Sequence, residues 1–229
     1  MYNVCVERKR VLVAVLNQGT TCAGMETQLF KWMQQGSDKY EFNIIFPSYR
    51  PIPNTRHHII KEFLAGDYEY LIMVDDDNPP HKNPFELLDL DLPVVACVYP
   101  GKGMGGIHFH VYQIDDSGKK TVFRQYPVKF REGLKKVDAV GTGVIVIKRD
   151  VIEKLKDMKP FEETFDKDGT LLYSDDLGFC MKCKEQGIDI YAHFDYLGSH
   201  YKIVDLLWVA NLVAYAAKTG KTNLPIEDE

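Results

Sequence analysis

The chain of 229 residues is 45% hydrophobic and 27% charged, the composition of a globular protein with a sizeable core. Its formal net charge of -5 argues against an affinity for nucleic acid resting on bulk electrostatics, leaving only a local basic patch open to it. No apolar run reaches the roughly 18–20 residues that span a bilayer, and the polar, basic stretch Met1–Arg10 carries no signal-peptide pattern, so the expectation is a cytoplasmic protein.

In chain order, Val11–Leu16 reads as a buried strand that breaks at Asn17-Gln18-Gly19-Thr20-Thr21, with Thr20 or Thr21 placed to cap a helix from Cys22 to Gln34. Phe42–Phe46 is a second strand stopped by Pro47, and Asn54 is the expected N-cap of a helix over Thr55–Leu64. Tyr70–Val74 is a third strand, apolar enough to be buried on both faces, and it runs into Asp75-Asp76-Asp77-Asn78-Pro79-Pro80. A short helix near Asn83–Leu88 and a fourth strand, Pro93–Tyr99, follow. Strands alternating with helices predict an α/β fold with a mostly parallel central sheet.

Beyond Tyr99 the pattern changes. The glycine-rich stretch Pro100–Gly106 lacks the spacing of a phosphate loop and suggests a lid or acceptor loop. His108–Ile114 and Thr121–Val128 alternate like a hairpin at the sheet edge. Val137–Val140 and Val144–Ile147 flank Gly141-Thr142-Gly143, Arg149–Leu155 is helical, and Ser174-Asp175-Asp176 opens a helix to Gln186. Ile188–Ala192 is a last strand, with Gly198-Ser199-His200 after it. The final helix, about 203–218, is apolar on nearly every face and is expected to bury against the domain or against a second subunit. Five cysteines are an odd number in a chain too long to need disulfides, so reduced thiols are expected; Cys180 and Cys183, a lone C-x-x-C in a helix, read as buried thiols.

Three carboxylates at the end of a buried strand repel one another unless a cation sits among them, and a hard divalent ion with oxygen ligands answers that need. The competing reading is an acidic turn that caps the next helix. The order of Asn54-Thr55-Arg56, Asp75-Asp76-Asp77, Gly141-Thr142-Gly143, Asp175-Asp176 and His200 resembles the GT-A-fold glycosyltransferases, over about Val11 to His200. It is most similar to the small single-domain bacterial, archaeal and viral members.

That resemblance implies a single domain over residues 1–229: a Rossmann-like nucleotide-binding half (about 10–99), an acceptor and metal half (about 100–200) with a small antiparallel sheet, and a C-terminal helix. The architecture implied is a three-layer α/β/α sandwich. It implies transfer of a sugar from a UDP- or GDP-sugar to an acceptor hydroxyl, with Mn2+ or Mg2+. Asp77, Asp75 and His200 are the implied metal residues, an imidazole mildly favouring Mn2+. Asn17, Gln18, Thr20, Arg56, Asp75, Asp76 and Gly143 are the implied nucleotide-sugar residues. Asp176 is the implied base, with Asp175 assisting, although the family has Glu where this chain has Asp175. Helix-dipole complementation is the plainer role for that pair. His193 is the rival of His200.

The acceptor stays open among a glycan, a protein, a metabolite and a modified nucleic-acid base, and the apolar C-terminal helix suggests a homo-oligomer. The alternatives are a sugar nucleotidyltransferase, which wants a glycine- and arginine-rich loop where Asn17–Thr21 stands, and a nucleotide-sugar-binding module without turnover.

Overall fold

The computed structural model describes residues 8–17, 19, 21–36, 38–103, 106–115, 121–127, 131–203 and 205–220. Strand β1 (Lys9–Leu16) and helix α1 (Ala23–Gly36) are followed by β2 (Tyr40–Ile45), α2 (Ile52–Ala65) and β3 (Tyr70–Asp75). β1 pairs in parallel with β2 on one side and β3 on the other, in a register that sets Leu16 beside Asp75. Side chains alternate along β1. Leu12, Ala14 and Leu16 join a core with Ile59 and Phe63 of α2, while Val11, Val13 and Val15 join another with Met25, Leu29 and Trp32 of α1. The sheet is therefore buried on both faces, as its apolar strands require.

Several boundaries differ from expectation: the last strand runs over Ile190–Leu197 rather than Ile188–Ala192, and two helix starts change. α2 starts at Ile52, three residues earlier, with Pro53 in its first turn, where a missing N–H costs nothing. Asn54 thus lies inside the helix, its side chain donating to the Arg50 carbonyl at 3.1 Å, and the N-cap is Pro51 without a side-chain bond. Pro84–Leu90 winds as a 3-10 helix, capped by Asn83, whose side chain accepts from the Phe85 N–H at 3.1 Å.

After β4 (Val94–Val98), β5 (Pro100–Gly103) and β6 (Gly106–Phe109) form a hairpin arm rather than a loop. β7 (Val111–Asp115) and β8 (Val122–Gln125) form the expected hairpin, but it does not join the edge of the main sheet. Beyond β9 (Leu134–Val137), the two-residue β10 (Ala139–Val140) pairs with β7 and makes a separate three-stranded sheet. β11 (Val144–Lys148), α3 (Arg149–Leu155), the short hairpin of β12 (Thr164–Phe165) and β13 (Leu171–Tyr173), α4 (Asp175–Glu185), β14 (Ile190–Leu197) and α5 (Leu206–Thr219) complete the chain.

The seven-stranded sheet has the order β2-β1-β3-β11-β4-β14-β9, in which β11 and β9 run against the other five. β11 separates β3 from β4, antiparallel to both. An antiparallel strand starts where its parallel neighbours end, so the Gly141-Thr142-Gly143 turn arrives at the carboxyl edge beside Asp75. The Asp75 N–H donates to the Gly143 carbonyl at 2.8 Å. Ligands of α/β sheets gather at that edge. None of the described side chains of α5 is buried.

Candidate active site

The carboxyl ends of β1, β3 and β4 and the start of α4 surround an open cavity of about 300 Å³. Asn17, Arg56, Asp75, Asp76, Asp77, Asp175, Asp176 and His200 all line it, drawn together from residues 17 to 200. Gln18 and Thr20 lie outside the described residues. Gly143 sits behind the wall, where a Cβ would come within 2.5 Å of Asn78 Oδ1 and 2.7 Å of Tyr99 Cζ. Its N–H donates to the Tyr99 hydroxyl at 3.0 Å. The glycines of that turn make room for Tyr99, Asn78 and His110.

The end of β3 and the segment after β14 are stitched together by backbone bonds. Ser199 N–H donates to the Pro79 carbonyl at 3.1 Å and Tyr201 N–H to the Asp77 carbonyl at 2.9 Å. Buried Asn78 adds a side-chain bond to the Ser199 carbonyl at 3.1 Å. This holds His200 against Asp77. His200 Nδ1 lies 2.7 Å from the Pro100 carbonyl, which can only accept, so Nδ1 carries a proton and in the neutral ring the lone pair is on Nε2. Nε2 faces Asp77 Oδ2 at 3.6 Å, and Lys202 Nζ donates to the same oxygen at 2.6 Å. His193 lies against Tyr196 with ring centroids 4.6 Å apart and does not line the cavity.

Arg56 is buried, 4% exposed, and ties the two acidic groups together. Its Nε is 3.0 Å from Asp175 Oδ2 and an Nη is 3.5 Å from Asp75 Oδ1; the other Nη donates to Thr142 Oγ1. The Asp175 contact is a charge contact, since neither atom is aligned for a hydrogen bond. The guanidinium also lies 5.4 Å over the Phe161 ring. Burial works against its charge, but Asp75, Asp175 and Asp176 outweigh that and hold its pKa above the ordinary value.

Asp176 is in the first turn of α4, where its Oδ1 accepts from the Leu177 N–H at 2.8 Å and from the Ser174 hydroxyl. Burial pushes the Asp75 carboxyl up to about 6; Arg56 opposes the rise, while Asp77, Asp175 and Asp176 add to it. Five carboxylates thus share the cavity with the cations Arg56 and Lys202.

That surplus fits a divalent cation, and the Asp77 carboxylate with the lone pair of His200 Nε2 is a donor pair suited to one. Among the described residues, no group of three His, Cys, Asp or Glu side chains forms a metal cage by itself. A cation here would draw its remaining ligands from solvent or a bound ligand.

No protein-family model matches the chain, and no curated protein matches it. Among solved structures, the chain is similar to A197 from STIV at 22% identity and a TM-score of 0.56, over 85% of this chain and 86% of that one. This likeness shows the fold, an α/β arrangement around a large mixed sheet. Fainter similarities reach GalNAc-T7 solved with UDP, GalNAc and Mn2+, and UDP-glucose pyrophosphorylase complexed with UDP-glucose. The first has 8% identity and a TM-score of 0.48, over 86% of this chain and 43% of that one. The second has 11% identity and a TM-score of 0.43, over 93% of this chain and 100% of that one.

Sequence reasoning missed Lys202, Asn78, Tyr99, Tyr49 and His110, all of which line the cavity. Lys202 carried a usable signal, two residues beyond His200 and apart from any helix. Tyr49 carried none, because its position depends on Thr55, whose hydroxyl donates to the Tyr49 carbonyl at 2.6 Å. Cys180 and Cys183 are buried free thiols, as expected.

Proposed function

We propose that the chain is a GT-A-type, metal-dependent glycosyltransferase that moves a sugar from a nucleoside-diphosphate sugar to an acceptor hydroxyl. The observation that carries this reading is the pairing of His200 Nε2 with Asp77 beside Asp75, in one cavity with Asp176. Asp77 and His200 would hold Mn2+ or Mg2+, with Asp75 next to them. When bound, the ion neutralises charge on the departing diphosphate.

The chain's own groups supply the rest. The acceptor oxygen attacks the anomeric carbon, the bond from that carbon to the diphosphate oxygen breaks, and the acceptor proton passes to Asp176. The hydrogen bonds to Asp176 Oδ1 hold the carboxylate in place and leave Oδ2 to receive the proton. Arg56 positions Asp175 and Asp75 relative to each other. Asn17 and Tyr49, which also line the cavity, would meet the nucleoside. The nucleotidyltransferase alternative gains no support here, because its arginine-rich loop has no counterpart at Asn17–Thr21.

The test is a thermal-shift panel of UDP, GDP, ADP and CDP and their sugars, with and without Mn2+. At least one should raise the melting temperature by several degrees only when Mn2+ is present. A panel with no shift in Mn2+ would sink the assignment.

A further inference from the structure

We propose that α5 is the interface of a homodimer in which two copies of the helix pack antiparallel. Asp205 caps the helix by accepting the Leu207 N–H at 2.8 Å, and Gly220 ends it in a left-handed turn. One face carries Trp208, Val209, Leu212, Tyr215 and Ala216, all half-buried. The opposite face is exposed and apolar.

Leu206, Leu207, Ala210, Val213, Ala214 and Ala217 recur there at the three- and four-residue spacing of a core-facing stripe. Ile203 is fully exposed, Leu206 78%, Leu207 67% and Val213 63%. Leu206, Leu207 and Val213, with Ile203 just ahead of the helix, make an exposed apolar patch of the kind that marks an interaction site on a monomer.

The pattern of sizes selects a second copy as the occupant. Bulky residues, Leu206 and Leu207, fill the N-terminal half of the stripe, and small ones, Ala210, Ala214 and Ala217, dominate the C-terminal half. Antiparallel pairing sets the bulky half of each helix against the small half of its partner, so the layers interdigitate. Parallel pairing would set bulk on bulk and leave a void at the alanines. The antiparallel arrangement also brings Asp205 level with the partner's Lys218 at both ends. It is a two-fold, self-complementary contact, the commonest kind in homo-oligomers.

A membrane surface is a poorer match. Helices that lie on membranes carry a row of cations beside the apolar face, and this one has none before Lys218. The helix begins four residues after Lys202, which binds Asp77, so the dimer would also hold the segment that closes the candidate active site.

The experiment is sedimentation velocity of the full chain from 1 to 100 µM, alongside Leu206→Asp and Val213→Asp variants, each checked for an unchanged circular dichroism melt. The wild type should sediment as a dimer, and each variant should raise the dimer dissociation constant at least tenfold. Under mild oxidation, Ala210→Cys near the two-fold axis should give a disulfide-linked dimer, and Ala217→Cys should not. A monomeric wild type at 100 µM, a dimer indifferent to both aspartates, or cross-linking through position 217 alone would overturn the proposal. So would a monomer that co-sediments with anionic phospholipid vesicles.

Discussion

His200 Nε2 stands 3.6 Å from Asp77 Oδ2 because His200 Nδ1 is held by the Pro100 carbonyl at 2.7 Å. The carbonyl sets both the tautomer and the ring's direction, the role that second partners play for metal-binding histidines. His200→Ala should therefore weaken Mn2+ binding by at least about tenfold, the least that loss of an orienting partner costs, with the fold intact. Isothermal titration with Mn2+ and a nucleoside diphosphate would check it, and an unchanged affinity would remove His200 from the site.

Arg56 is the buried cation that Asp75 and Asp175 share. Arg56→Met keeps the bulk over Phe161 but leaves two carboxylates without their partner. Breaking a buried pair from one side costs about 3–5 kcal/mol, so urea unfolding should show a loss of that order. A variant as stable as the wild type would mean that solvent already screens the pair.

The Asp75 carboxyl, pushed up to about 6 mainly by burial, gives the apo protein a defined pH response. Its folded pKa lies above the unfolded value of 3.8, so its contribution to stability is full below 3.8 and is lost as pH rises through about 6. A divalent cation needs the ionised form, so metal binding should respond in the opposite sense. Mn2+ affinity should fall by about tenfold per pH unit below 6, and Asp75→Asn should flatten that dependence. A pH-independent affinity between 5 and 7 would contradict the arrangement.

Asp176→Asn keeps the shape of the first turn of α4 while removing the proton acceptor. Turnover should drop by about 10²–10⁴-fold, with donor affinity within a few-fold of wild type. Persisting turnover would move the base elsewhere.

Gly143→Ala tests the wall of the cavity. The added Cβ meets Asn78 Oδ1 and Tyr99 Cζ inside normal contact distance, and overpacking of this kind costs about 1–3 kcal/mol. The melting temperature should fall. Because Asn78 also holds the Ser199 carbonyl, Mn2+ affinity should fall with it.

Much of this was legible in local chemistry. The apolar run Tyr70–Val74 announced a strand buried on both faces, the prolines after Asp77 ended it, and Asp175-Asp176 marked a helix start; each stands where the pattern put it. The alternation of β7 and β8 announced a hairpin but not its sheet, because pairing with β10 is a contact between segments that share no local signal. The start of α2 was misjudged because Asn54 is a good cap in isolation, while Pro51 and Pro53 preset the backbone a turn earlier. α5 was expected to bury against the domain or a second subunit. None of its described side chains is buried, and apolar periodicity says that a face wants cover and not what covers it.

The sequence by itself determined which segments become strands and helices and that acids would crowd one strand end, since these follow from local periodicity, turn residues and charge. Only the tertiary structure decided which acid meets which cation. The insertion of β11 between β3 and β4 brings Thr142 and Gly143 to Asp75, Arg56 reaches both acidic groups, and the stitching of Pro79 and Asn78 to Ser199 carries His200 to Asp77. Those contacts join residues far apart in the chain, and only closing the sheet brings them within a few ångströms.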